Sequence, residues 1–289
     1  MLHHWLKRRL AEAAAPAGDV PEHLRQHVGL DVFGPAYRSM NERDSHAPGS
    51  VDRVLLDRMV GLCGETIPFL YSGFTLAETG YLEGSRPVLE EAAARATDGA
   101  ASDEERVAAL ARFTAGLGRK VAGLSLDDTR MGGTEEDVLA RGSDWCTDVA
   151  RVACALYQVA GLPARIVYLV DLRKAYSGHV INEVFRQGVW GAVDTSTGVV
   201  YRSPAGRPLS VKELMAQPDL VEAHRRPGAG YTNPGQFSAA AVSNYFVQDA
   251  ACYDYAVSGV NDYYRSILEH SERGWPGGLR WLHGEDATR

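Results

Sequence analysis

The chain has no run approaching the roughly 20 consecutive apolar residues of a membrane-spanning helix. Its densest cationic cluster is the short run Lys7-Arg8-Arg9. With a formal net charge of −7, that scarcity argues against a nucleic-acid partner, because phosphate binding needs clustered Lys and Arg. Cysteine is scarce too. The four stand at 63, 146, 154 and 252, with no CxxC pair and no ligand array. On one helix, Cys146 and Cys154 would lie about 12 Å apart along the axis, beyond the roughly 7 Å Cα separation a disulfide tolerates. Reduced thiols are therefore expected, which fits a cytoplasmic protein. The N-terminal MLHHWLKRRLAEAAAPAG points the same way. Its apolar stretch is too short for a secretory signal, and its basic residues follow that stretch instead of preceding it. No membrane association is expected, and the oligomeric state is not legible.

What is present is an ordinary globular composition, 45% hydrophobic and 23% charged, over 289 residues. That length allows a sizeable core. The chain reads as a single domain, 1–289, of α+β class. Residues 1–100 read as a helical N-terminal region, 101–202 as the core, and 203–289 as a helical C-terminal region. Residues 61–84 resist assignment.

Within the core, Pro87 opens a helix to about Thr97. Ser102-Asp-Glu-Glu105 is a capping box, followed by Val107, Leu110, Ala111, Thr114 and Leu117 at helical spacing. Ser143 or Asp144 caps the next helix, whose apolar stripe is Val149, Val152, Ala153, Leu156 and Ala160. Gly161-Leu-Pro163 ends it. The period then changes. Residues 164–170, 179–185 and 189–194 read as strands, the last two joined by a tight turn at Gln187-Gly188. Ser210-Val-Lys-Glu213 is a second capping box, Asn233-Pro-Gly235 a turn, and a helical pattern runs from Ser238 to about His270, with a break at Gly259.

Cys146 falls in the first turn of its helix. Unpaired backbone N–H groups and the positive end of the dipole favour a thiolate there, and the thiolate is the nucleophilic form. A cysteine nucleophile needs a base, and the base an orienting group. The hairpin supplies both. If Gln187 and Gly188 are the turn residues, positions summing to 375 face each other. Ile181 then opposes Asp194 and His179 opposes Ser196, so His179 and Asp194 become diagonal neighbours on one face. A register error of one residue would separate them.

Taken together, RGSDWCTDVARVACALYQVAGLPARIVYL and GHVINEVFRQGVWGAVDTSTGVVY resemble the transglutaminase-like superfamily. A glycine shortly precedes Cys146, and an aspartate follows two residues after it. An alanine-rich helix and a Gly-Leu-Pro-Ala-Arg turn come next, then Gly-His before a strand, then a tryptophan strand ending in Asp194. The resemblance covers roughly residues 102–201. It implies a papain-like fold in which Cys146 is the nucleophile, His179 the general acid/base and Asp194 the group that orients the histidine.

One departure concerns the oxyanion. Related enzymes commonly use an upstream Trp or Gln as donor, but residues 87–144 contain no Trp, Gln or Asn. The Cys146 backbone N–H serves as one donor. Tyr71, Tyr81, Thr134 or a backbone amide is left as the second. Trp145, Tyr71 and Tyr81 are taken as substrate-contacting side chains.

The expected chemistry is acyl transfer from an amide or thioester donor to an amine acceptor, with a small-molecule, peptide or carrier-bound acyl substrate and no cofactor. It suits amide-bond formation in a biosynthetic pathway. The alternatives are a peptidase or amidase with the same triad, and a non-catalytic binding module. No metal site is expected. His23 and His27 have metal-ligand spacing, but no third ligand is near in sequence, so a solvated helix face is the reading. Met131-Gly-Gly-Thr134 matches no phosphate loop and reads as a mobile loop near the active site. The tyrosines between Tyr231 and Tyr264 read as helix packing, and Cys154 and Cys252 as core.

Overall fold

The computed structural model describes residues 22–29, 32, 55, 58–72, 81–125, 128–171, 176–225, 233–245 and 247. A 3-10 turn, Glu22–His27, is followed by β1 (Met59–Gly61), α1 (Ile67–Leu70), α2 (Pro87–Ala96) and α3 (Asp103–Ala115). Next come α4 (Glu135–Arg141) and α5 (Cys146–Val159), then β2 (Ala164–Asp171), β3 (Tyr176–Arg186), β4 (Val189–Asp194) and β5 (Val199–Val200). The described chain closes with α6 (Val211–Ala216), α7 (Pro218–Ala223), a 3-10 turn Pro234–Phe237, and β6 (Ala239–Ser243).

The strands form one antiparallel sheet in the order β1-β6-β2-β3-β4-β5. Helices cover both faces. On one, α5 packs with α2, α3 and α4 around it; on the other lie α6, α7 and the Pro234–Phe237 turn. This is the α+β, papain-like core that the sequence implies. Double coverage explains why β2 is buried at every position, instead of alternating between core and solvent. It also explains why α5 is buried from Thr147 to Gln158 and not along one stripe only.

Local chemistry sets several boundaries. The β3–β4 turn has Gln187 at φ 54° and Gly188 at φ 75°, the left-handed pair of a two-residue hairpin turn. The register follows: Arg186 opposes Val189, Phe185 opposes Trp190, and Asn182 opposes Val193. Ser210 and Glu213 form the reciprocal capping box. At α3, Ser102 accepts the Glu105 N–H, but the Glu105 carboxylate takes the Ala101 N–H at 2.6 Å instead of that of Ser102.

The structure corrects four expectations. Residues 239–243 form a strand, not the start of a long helix. Alanine favours helices, yet this segment lies between β1 and β2, where both ladders satisfy its backbone and small side chains fit beneath helices on both faces. The flanks are consequently not purely helical, because β1 and β6 come from them. Trp145, not Ser143 or Asp144, is the N-cap of α5. Ser143 Oγ instead accepts the Trp145 N–H at 3.1 Å. The Met131-Gly-Gly-Thr134 loop is pinned. Gly132 and Gly133 sit at φ 77° and 84°, a double left-handed turn that only glycine adopts easily. The rest of the Ser238–His270 pattern, Cys252 and most of the late tyrosines lie outside the described residues. Tyr245 is inside them and is buried.

A buried ionic network holds that loop and the start of α5. Asp148, in the first turn of α5, accepts the Gly132 N–H at 2.9 Å, Arg141 at 3.0 Å and Arg151 at 3.3 Å. Arg151 also donates to the Gly133 carbonyl at 2.8 Å and pairs with Glu135 at 3.0 Å. Glu135 in turn takes Arg86 at 2.8 Å and the Tyr245 hydroxyl. Asp148, Arg151 and Glu135 are fully buried, so each charge depends on these partners.

Candidate active site

Cys146 is the first residue of α5 and is half-buried. As a first-turn residue it has no intrahelical carbonyl for its own N–H. Its helix rests on the sheet through Asn182, whose amide donates to the Ala150 carbonyl at 3.0 Å and accepts from the Thr195 hydroxyl at 3.0 Å. Helix start and hairpin end are therefore tied together directly behind the site.

His179 lies on β3, opposite Leu169 of β2. The next pair is Val170 with Ser177, so Gly178 is an extra residue, a bulge. Bulges re-aim side chains and leave a backbone group outside the ladder. Here the Gly178 carbonyl accepts Gln236 Nε2 at 3.1 Å, while Gln236 Oε1 takes the Asn233 N–H at 3.0 Å. Gln236 is buried and locks the strand immediately before His179. In the sequence, Asn233-Pro-Gly235 marks a turn but carries no sign of the group that the next residue serves.

The imidazole of His179 sits 3.1 Å from Asp194, Nε2 to Oδ2, and both residues are buried. Asp194 Oδ1 accepts the Ser196 and Thr197 N–H groups at 3.1 and 3.2 Å. The aspartate thus closes the Asp-Thr-Ser-Thr-Gly turn with one oxygen and holds the histidine with the other. Cys146 interacts with the same imidazole. Nε2 faces Asp194, so Nδ1 is the ring nitrogen on the other side.

Burial disfavours a charged His179, but the adjacent Asp194 carboxylate and the Cys146 contact outweigh it and push the histidine up from 6.5 to about 10. Because the folded value lies above the ordinary one, the pair stabilises the fold fully below about pH 6.5. That contribution is lost as pH rises through about 10. The ring-proton NMR signal of His179 should therefore titrate near pH 10 in the native chain. Asp194→Asn should move the midpoint toward or below 6.5, since burial then dominates, and Cys146→Ser should lower it by less. A native midpoint near 6.5 would contradict the arrangement.

The structure does not bring the remaining sequence candidates to this point. Trp145 is 5% exposed and packs into the core. The Tyr71 hydroxyl donates to Glu183 at 3.0 Å and accepts the Lys212 N–H at 3.2 Å, beside Arg165. Tyr81 bonds Glu90 and lines a cavity with Gln158, Val159 and Gly161, at the far end of α5 from Cys146. Thr134 caps α4. All three hydroxyls have other partners. A cavity of about 630 Å³ between α2, α3 and α4 contains none of Cys146, His179 or Asp194. Cys154 is fully buried, and burial pushes its thiol well up, as suits a packing residue.

A thiol on the first turn of a helix, an imidazole on a neighbouring strand and a carboxylate behind it define a cysteine–histidine–aspartate site on a papain-like core. Residues 90–195 match the family model of the transglutaminase-like superfamily. The matched span contains Cys146, His179 and Asp194. Comparison with curated proteins and with solved structures returned no match. Cysteine-dependent catalysis is typical of the superfamily that this segment matches.

Gln236→Ala should lower catalysis about tenfold and stability by about 1 kcal/mol, the ordinary net worth of one buried hydrogen bond. Gln236→Glu, which removes the donor while keeping the shape, should match it in rate. Ester turnover and urea unfolding measured side by side check this. An unchanged rate in both variants would relegate Gln236 to packing.

Proposed function

We propose that the protein is a cysteine-dependent acyltransferase in which Cys146 attacks the carbonyl carbon of an amide or thioester. The observation that carries this reading is the position of His179, 3.1 Å from Asp194 and interacting with Cys146 at the start of its helix.

In the first half-reaction the Cys146 sulfur forms a bond to the carbonyl carbon, and the carbonyl electrons move to oxygen. The Cys146 backbone N–H stabilises that oxyanion. The bond to the leaving amine or thiol then breaks, and the leaving group takes the proton held by His179. An acyl thioester on Cys146 remains. In the second half an amine attacks this thioester, His179 accepts the amine's proton, and the Cys146 thiolate departs. Asp194 keeps the imidazole oriented throughout and balances its positive charge. The acyl donor is a small-molecule, peptide or carrier-bound acyl group, and the step forms an amide bond within a biosynthetic pathway.

Water resolves the same intermediate, which would make the protein an amidase or peptidase. Product analysis separates the two. The acyl-enzyme is loaded with p-nitrophenyl acetate and chased with a panel of primary amines at millimolar concentration. Acetamides formed in excess over acetate are the expected result. Acetate alone across the panel would favour hydrolysis. No acyl-enzyme at all would favour a binding module.

A further inference from the structure

A second cluster of thiol, imidazole and carboxylate lies away from Cys146. His27, Cys63 and Glu65 each present one ligand atom, and these atoms lie within 4.8 Å of one another. Cys63 Sγ is 3.7 Å from His27 Nδ1. From that geometry we infer that His27, Cys63 and Glu65 form a zinc-class divalent metal site, with three protein ligands and a fourth position for water.

The sulfur–nitrogen distance suits the ion. Zinc–sulfur and zinc–nitrogen bonds of about 2.3 and 2.05 Å at a tetrahedral angle place sulfur and nitrogen about 3.6 Å apart. The donor set is a soft thiolate, a borderline imidazole and a carboxylate, which selects zinc or cobalt over magnesium or calcium.

The support around the ligands also fits. Gln26 Nε2 lies 3.3 Å from His27 Nε2. With its amide turned to present Oε1, Gln26 would accept the Nε2–H that a ligating imidazole carries, the usual outer partner of a metal-bound histidine. Thr66 braces the Cys63 loop by accepting the Cys63 N–H at 3.0 Å and donating to the Gly61 carbonyl.

The position gives the site a use. Val28 bridges to Val60, and the Gly29 N–H donates to the Met59 carbonyl at 2.8 Å, so the segment carrying His27 extends the sheet beyond its edge strand β1. A metal on His27, Cys63 and Glu65 welds that short edge. Leu62 bonds Ala240, and Leu169 pairs with both Ala240 and His179. Cys63 therefore stands at the same end of the sheet as His179, three strand spacings or roughly 14 Å away. His27 does not stand on a solvated helix face, as its spacing from His23 suggests. The structure sets it against Cys63, which is 36 residues distant in the chain, while His23 is exposed.

The test uses the full chain, stripped of metal with a chelator under a phosphine reductant and titrated with cobalt(II), then with zinc. One equivalent of cobalt should bind and give a thiolate-to-cobalt charge-transfer band that zinc abolishes. Cys63→Ser should remove the band and weaken binding at least about tenfold, a minimum set by losses at outer-shell positions. Glu65→Gln, at an exposed position that does not endanger folding, should weaken binding in the same direction. Cys146→Ser should leave band and affinity intact, and Cys63→Ser should leave ester turnover by Cys146 intact. Loss of the band in Cys146→Ser, its persistence in Cys63→Ser, or no stoichiometric binding would each overturn the site. None of these outcomes depends on whether Cys146 is catalytic.

Discussion

Replacing Cys146 with alanine is expected to lower p-nitrophenyl acetate turnover by at least about 10⁴-fold, the scale on which removing a nucleophile from a coupled triad is felt. No other described cysteine can substitute. Cys154 is fully buried with its thiol pushed well up, and Cys63 lies at the β1 edge of the sheet, three strands from His179. The fold should be untouched, because Cys146 is small, half-buried and at a helix end. Far-ultraviolet dichroism and the urea midpoint should therefore match the native chain while turnover and burst-phase acylation disappear. Retained turnover would place the chemistry elsewhere.

The largest effect on stability is expected at Arg151. Its guanidinium joins Glu135, Asp148 and the Gly133 carbonyl, all within the core beneath Cys146. Arg151→Ala leaves buried carboxylates without that partner, which costs about 3–5 kcal/mol. A domain of this kind has a total stability of about 5–15 kcal/mol. Urea unfolding should show a large drop in midpoint with little change in slope. Ester turnover should fall as well, even under conditions where the variant is folded. Asp148 anchors both the first turn of α5 and the Gly132 loop, and an unbalanced Asp148 releases them. A loss under 1 kcal/mol would mean that the network carries little of the fold.

Features set by neighbours in sequence could be read in advance. The Gln187-Gly188 turn fixes the β3–β4 register by itself, which is why His179 and Asp194 could be paired on paper. The Ser210 capping box and the end of α5 at Gly161 are equally local. What could not be read depends on distant partners. Residues 239–243 are alanine-rich and helix-prone, and only β1 and β2 make them a strand. Gln236 matters because Gly178, far upstream, bulges out of register. Asp148 looked like an ordinary first-turn acid, yet Arg141, Arg151 and Gly132 make it the anchor of the site. Trp145 looked available to substrate because it adjoins Cys146, but its side chain turns into the core.

The most direct test of the central claim, a Cys146–His179 pair poised for nucleophilic attack, is the alkylation rate of each cysteine. Peptide mass spectrometry under limiting iodoacetamide at pH 6 reads all four at once. The account predicts that Cys146 reacts far ahead of Cys63, Cys154 and Cys252, and that His179→Ala erases its lead. Alkylation of Cys146 no faster than the others, or a lead that survives the loss of His179, would contradict it.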